Sequence, residues 1–445
     1  MKIKDTTRTA PVCLLTVLLV ATAPATRAQT SLQPRVVSRP VTPGDITVYK
    51  LPAATEVSGG QFTRGVGQPF YLEADVNLAL SATNTVTVTW ALTNQPAGSV
   101  ATLTPSPLGT NVPVYEPTDR LIYQVAGRTL LRADLPGQYT VVATFSAADG
   151  TTTNVAQTLT AGTFVGKNTC ALCHSGGQEA PNMVVPWSQT GHANMFAWGI
   201  DGVLGSHYGT GCFQCHTVGY DTNTNAVNGG FDDVAKQLGW SMPTNLVSGN
   251  WASLQTNYPS LANVANIQCE NCHGPGSQHA FSLGNTNLIT VSFSSGDCNQ
   301  CHDAPTHHIK GTEWYSSLHA VTTRDPSGPG REACVGCHTG PGFVGRIEGA
   351  SVTNTTYSSI NCQTCHEPHG ITTPEDNPHL IRAMTAATFM DGTVVTNAGE
   401  GQLCLQCHHA RANAATYATA YHSHFGPHLG PQGDMIEGVN GFTYG

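Results

Sequence analysis

The sequence predicts two folded parts of different class: an all-β, immunoglobulin-like sandwich over residues 45–162, then a mainly α-helical and loop domain over 163–445. Three observations carry this division. Residues 45–162 contain neither cysteine nor histidine, whereas all 19 histidines and 14 of the 15 cysteines lie beyond them. Apolar side chains alternate with period two in the first segment, the mark of half-buried strands. After Thr163 that alternation fades, while glycine, asparagine and histidine become frequent.

The strands can be read in order. Phe70, Leu72, Ala74, Val76 and Leu78 alternate with polar neighbours, as do Val86, Val88, Trp90 and Leu92, and then Tyr139, Val141, Ala143 and Phe145. Asp149-Gly150 marks a hairpin turn. Strands at this spacing over about 115 residues suggest a sandwich. In the second part, short helices are expected at Pro186–Trp198 and Gly311–Val321. Low apolar periodicity there suggests that something other than side chains fills the core.

A Cys-x-x-Cys-His motif occurs seven times after Thr163. The copies are Cys170/Cys173/His174, Cys212/Cys215/His216, Cys269/Cys272/His273, Cys298/Cys301/His302, Cys334/Cys337/His338, Cys362/Cys365/His366 and Cys404/Cys407/His408. Chance placement would give about 0.02 such motifs, so the set is not accidental. Two thiols at this spacing can add to the two vinyl groups of one haem, and the following imidazole can reach its iron. Zinc sites would not demand a histidine after every pair, and a disulfide scaffold would not keep the spacing. The expected cofactors are therefore seven covalently bound c-type haems. Much of the chain between the motifs is then expected to be loop wrapped on porphyrin. First cysteines are 42, 57, 29, 36, 28 and 42 residues apart, which is no solenoid repeat. A compact domain of this size has a radius of gyration of roughly 19 Å, so seven haems within it would be near neighbours.

The N-terminus joins a basic start (Lys2, Lys4, Arg8), an apolar run from Val12 to about Ala23, and Ala25-Thr26-Arg27-Ala28. It reads as a secretory signal peptide over residues 1–28, with Cys13 inside the run. Export suits c-type haem, which is attached outside the cytoplasm, and implies a periplasmic or extracellular protein. Residues 1–28 hold four Lys/Arg and one Asp, so their removal takes the net charge from −9 to −12. Such an acidic chain argues against nucleic acid and suits soluble redox partners with a basic patch. No later run approaches the eighteen apolar residues of a membrane span.

Twelve further histidines remain: His192, His207, His279, His307, His308, His319, His369, His379, His409, His422, His424 and His428. A second imidazole on the opposite face of each iron would give low-spin, six-coordinate centres. Several stretches carry a resemblance: PWSQTGHA, HYGTGCFQCHTVGY, CENCHGPGSQHA, CHDAPTHHIKGTEWYSSLHA, CQTCHEPHG and GPHLGPQGDMIEG. With them, residues 165–445 resemble bacterial multihaem c-type cytochromes of the doubled Cys-x-x-Cys-His kind, related to the pentahaem nitrite reductases and hydroxylamine oxidoreductases. The resemblance implies distal ligands at His192, His207, His279, His308, His319, His369 and His428, commonly to a different haem from that of the adjacent motif. Within CENCHGPGSQHA, Gly274-Pro275-Gly276 would let the backbone turn near a porphyrin. His307 competes with His308, and His424 with His428; His379, His409 and His422 read as bystanders. Met195 reads as core filler rather than a ligand. Arg331, Arg346, Arg382 and Arg411 are candidates for haem propionates, and Asp232-Asp233 reads as an exposed loop.

The segments VTWALTNQPAGSVATL and DLPGQYTVVATFSAADGTT resemble PKD-like, immunoglobulin-type modules of exported proteins. Such a module spaces or docks a partner domain, the inert spacer being the simpler reading. The leading expectation is an electron-transfer protein without substrate chemistry. The alternative is a multihaem reductase of small nitrogen or sulfur compounds with one five-coordinate haem; no Cys-x-x-Cys-Lys variant is present to mark it. Self-assembly, with His422 or His424 donated across an interface, is a third.

Overall fold

The computed structural model describes residues 32–77, 80–81, 83–109, 123–305, 308–320, 332–350, 358–371, 379–419 and 432–441. Eight strands fall into two four-stranded sheets. The first has the order β1 (Pro34–Ser38), β3 (Pro69–Val76), β6 (Gln124–Arg132), β5 (Leu103–Thr104). The second runs β2 (Thr63–Gly65), β8 (Thr152–Gly162), β7 (Gly137–Ala147), β4 (Val86–Asn94). All pairs are antiparallel except β2 with β8. β1 brings into the sheet residues that precede the alternating segment.

Alternation puts one face of each sheet inward. Phe70, Leu72 and Leu131 of the first sheet meet Tyr139, Val141 and Leu159 of the second in one core. The turn between β7 and β8 closes at Asp149-Gly150, where the Gly150 N–H donates to Ala147 O at 3.0 Å. Tyr139, at the start of β7, ties its hydroxyl to Asp134 Oδ1 (3.0 Å) and Leu135 O (2.9 Å) and so fixes the bend before its own strand.

β3 departs from the half-buried expectation, because all eight of its residues are buried. Its polar face is covered too. Tyr71 packs with Val41 and Leu108, Glu73 pairs with Arg128 at 2.6 Å, and Asp75 pairs with Arg35 at 3.1 Å. The arginines come from β6 and β1, and the other covering residues from the segments around 39–58 and 105–109, whose positions alternation does not reveal.

The same 38–68 segment docks on the second part of the chain. Thr42 Oγ1 donates to Asp303 Oδ2 at 2.7 Å, with both residues buried. Gln61 Nε2 reaches Asn271 O at 3.3 Å, and Asn228 Nδ2 reaches Val66 O at 3.2 Å. The β segment is therefore packed against the motifs rather than held off by a linker.

Beyond Thr163 the helices are short. The helix expected over 186–198 is broken into Val184–Ser188, a 3₁₀ turn at His192–Asn194, and Met195–Ile200. Thr190 Oγ1 donates to Trp187 O at 2.8 Å, and Asn194 Nδ2 to Thr190 O at 3.0 Å. These bonds compete with the helical ladder. The second expected helix is likewise Lys310–Tyr315 followed by a 3₁₀ turn at Leu318–Ala320.

An ordinary apolar core is present here, against the expectation that it would be replaced. Phe196, Phe213, Phe231 and Leu261 are buried together, with ring centres of Phe196 and Phe231 5.1 Å apart. Phe196 lies between the first and second motifs, Phe213 inside the second, and Phe231 and Leu261 in the longest spacing, between the second and third. Asp232 and Asp233 are not in an exposed loop either. They open the helix Phe231–Leu238 and accept backbone N–H groups, Asp233 from Asn228 (2.7 Å) and Gly229 (2.9 Å), Asp232 from Asp221 (3.2 Å). No helix among the described residues is long and apolar enough to cross a membrane.

Candidate metal centres

Six motifs lie on or end a short helix, Lys167–His174, Phe213–His216, Cys269–His273, Gly296–His302, Glu332–His338 and Cys362–Cys365, and the seventh starts at the end of Gly401–Cys404 and runs on into a turn in which His408 N donates to Cys404 O at 2.9 Å. On a helix, residues i, i+3 and i+4 share one face, so two thiols and an imidazole are presented together. The fourteen motif thiols are free of disulfides.

The surroundings of the motif thiols differ, most plainly at Cys173. It is exposed, as is Cys404, while the other twelve motif cysteines are half-buried. The reason lies in its helix, Lys167–His174, which buries none of its residues. That helix is held at its start, where Lys167 N donates to Gln268 Oε1 at 2.8 Å and Asn168 N to Asn263 Oδ1 at 2.9 Å. Cys173 lies more than a turn beyond those bonds, at the outer end. Its spacing from Cys170 and His174 keeps it on the motif face, but the first site opens to solvent on that side.

The imidazoles meet in pairs drawn from distant parts of the chain. Ring centres are 6.4 Å apart for His174 and His279, 6.1 Å for His192 and His302, 6.2 Å for His273 and His369, and 5.9 Å for His319 and His408. Two metal–imidazole bonds of about 2 Å, plus about 1.2 Å from each donor nitrogen to its ring centre, place two imidazoles on opposite sides of one ion roughly 6.3 Å apart. All four pairs come close to that value. His308 also approaches His302, with ring centres 5.4 Å apart and the planes nearly perpendicular.

Among the described residues no three His, Cys, Asp or Glu side chains converge on a metal-sized point. A zinc site needs three or four protein donors. A macrocyclic iron supplies four nitrogens of its own and needs two. The donor set therefore fits haem.

Burial favours the neutral imidazole, with a lone pair to give, at six of the histidines: it pushes His216 and His302 down to about 4, and lowers His174, His192, His273 and His319. Several Nδ1 atoms rest on fixed partners. His273 lies 2.7 Å from Thr290 O, His279 3.0 Å from Asn285 O, His366 2.6 Å from His379 O, and His216 3.3 Å from the Tyr208 hydroxyl. Such contacts orient a ring and leave Nε2 for a metal.

His207 is exposed on the turn before Thr210–Cys212. His307, His422, His424, His428 and Arg331 lie outside the described residues, as does Leu78. His409 stacks on Phe389, with ring centres 5.8 Å apart. Arg346 donates to Gly336 O (3.2 Å) and Gln406 O (2.8 Å), bridging two motif helices, and Arg382 holds Gln363 O (3.2 Å). Arg411 is exposed.

Two carboxylates escaped the sequence reading. Glu270, inside a motif, is buried and accepts from the backbone N–H groups of Val165 (3.0 Å), Gly166 (2.7 Å) and Gly276 (2.6 Å). It pins the junction between the two parts of the chain to that motif. Glu367 contacts His369. Gly274, at φ +77°, makes its close approach to the Thr63 carbonyl of β2, which a Cβ would strike. The turn there admits the β segment.

Helices that present two thiols and an imidazole, with further imidazoles facing them, have the construction of a protein that carries metal macrocycles in series. The chain is 27% identical to the multiheme cytochrome MtrA of Shewanella baltica over 135 residues, 26% of this chain and 40% of that one. It is also 27% identical to the C-type polyheme cytochrome OmcB of Geobacter sulfurreducens over 208 residues, 40% of this chain and 25% of that one. The match thus spans less than half of either relative. No family model and no solved structure matches the chain.

Proposed function

We propose that this chain is an exported heptahaem c-type cytochrome that passes electrons between redox partners through closely spaced, bis-histidine haems. The observation that carries the reading is the set of four opposed imidazole pairs, each joining a motif histidine to a non-motif histidine at 5.9–6.4 Å. Similarity to two multihaem cytochromes supports it.

In this reading the fourteen motif cysteines hold the porphyrins, and His174, His216, His273, His302, His338, His366 and His408 are proximal ligands. From the ring pairs we read His279 opposite His174, His192 opposite His302, His369 opposite His273, and His319 opposite His408. His308 lies near both His302 and His216, and with His302 taken by His192 we read it opposite His216. His207 and His428 are left for His338 and His366. Haem iron takes up and releases one electron; the protein's part is to supply the imidazoles, fix their rings and keep neighbouring centres close. With an imidazole on each side, no iron would have room for substrate. Signal-peptide cleavage, haem attachment outside the cytoplasm and a periplasmic or extracellular location belong to the same proposal.

Residues 34–162 form an immunoglobulin-type module in this account. Two four-stranded sheets and the Tyr139 corner support it, and its docking on Asn271 and Asp303 suggests a brace for the haem segment. Intact mass and haem quantification of protein made with haem-maturation machinery test the reading. Seven haem additions per chain are expected; fewer would overturn the heptahaem assignment.

A further inference from the structure

We infer that the seven motifs are connected as a branched network with the motif Cys298–His302 as one junction, so that electrons reaching this point have three ways onward. The inference rests on the haem reading above and adds to it a spatial order that differs from the order in the sequence.

Side chains of different motifs touch in a definite pattern. The thiols of Cys170 and Cys269 are in hydrogen-bonding contact, which joins the first motif to the third. His279, just after the third motif, faces His174 of the first and makes the same link. Cys337 and Cys407 are likewise in contact. There Arg346 lies across both helices, 3.2 Å from Gly336 O and 2.8 Å from Gln406 O. These links skip one motif along the chain. The segment after the fifth motif meets the sixth, where Gly340 stands against Thr364.

The fourth motif gathers three neighbours. Towards the second, the thiols of Cys301 and Cys215 are in contact, and Cys301 Sγ lies 4.0 Å from Cys215 O. Towards the third, Gln300 Nε2 donates to Asn271 O at 2.7 Å. Towards the sixth, Cys298 contacts Cys362, and Gln363 Nε2 reaches Asp297 Oδ2 at 3.4 Å. Each contact joins residues inside or next to the five-residue unit that would grip a porphyrin. Porphyrins held there must lie side by side, whatever their tilt. Connection therefore runs from the first motif through the third to the fourth and sixth; the second touches both the fourth and, through Asn271 Nδ2 to Thr217 O at 2.8 Å, the third, and His369 beside the sixth faces His273 of the third. A conductor of this form can divide current from one donor between two acceptors, which an unbranched line cannot.

Anomalous scattering at the iron edge from crystals of the holoprotein places every iron without any substitution. The expected map has seven irons, with that of Cys298–His302 nearest to those of the motifs at Cys212, Cys269 and Cys362. Seven irons with a different set of neighbours around that centre would overturn the junction and leave the heptahaem reading standing. Fewer than seven irons in fully loaded protein would overturn the reading beneath it.

Discussion

The Nδ1 of His369 lies 3.0 Å from Oε1 of Glu367, a carboxylate that also accepts the backbone N–H groups of His369 (3.1 Å) and Ile371 (2.6 Å). Burial pushes the Glu367 carboxyl up, but the His369 contact and the two backbone bonds outweigh it and hold it below the usual carboxylate range. The other Nδ1 contacts described above end on carbonyl or hydroxyl oxygens. A carboxylate there strengthens the imidazole as a donor and favours ferric iron.

Glu367→Gln is therefore expected to raise the midpoint potential of one haem and leave the others near their wild-type values. Losing about 1 kcal/mol of ferric-state stabilisation corresponds to roughly 40 mV for one electron. Spectropotentiometric titration of both proteins reads the change. An unchanged titration curve would remove Glu367 from the list of tuning residues.

Replacing a distal histidine should expose one iron. His279→Ala is expected to convert about one haem in seven to a high-spin form that binds carbon monoxide when reduced. His409→Ala, whose ring stacks on Phe389, should leave the spectrum as it was. Equal behaviour of the two variants would break the assignment of His279 to His174.

The β segment is expected to unfold together with the haem segment. Thr42 caps the helix Pro43–Val48 and donates to Asp303, which also accepts from Thr312 N at 2.9 Å and Thr312 Oγ1 at 2.8 Å. Thr42→Val should cost about 1–2 kcal/mol, read by calorimetry as a lower midpoint of one shared transition. Two separate transitions, with only the first shifted, would restore the spacer reading.

The junction near Asp221 should make stability depend on pH. Burial, then Glu56, pushes the Asp221 carboxyl up to about 6. Burial likewise pushes Asp232 up to about 6. The folded chain then binds more protons than the unfolded chain between about pH 4 and 6, so this contribution is full below pH 4 and lost as pH rises through 6. Asp221→Asn should melt higher than wild type at pH 8, with the gap closing by pH 4. A variant that melts lower at pH 8 would show that the charged carboxylate is stabilising.

Much of the local architecture was legible in the sequence. Two thiols and an imidazole at i, i+3 and i+4 specify one face of one turn, and the alternation at Tyr139–Phe145 specifies a strand. Neither depends on the rest of the fold. Partner choice does depend on it: nothing in the spacing says that His279 faces His174 across 105 residues, or that His369 faces His273 rather than its neighbour His366. Nor does the spacing say that Cys173 stands exposed while Cys170, three residues earlier, touches Cys269. The helix expected at 186–198 failed because Thr190 and Asn194 bond back to the chain. The buried face of β3 was hidden because Glu73 and Asp75 are buried by pairing with arginines that lie far away in sequence. Glu270 could have been suspected as an acid inside a motif, but its partners at 165–166 are set by tertiary packing.

The most direct test of bis-histidine ligation is the EPR and optical spectrum of the fully ferric holoprotein, with and without cyanide, nitrite and hydroxylamine. Seven low-spin haems that ignore all three ligands are expected. A high-spin signal worth one haem, shifted by a small ligand, would contradict bis-histidine ligation at that iron and mark an open catalytic site.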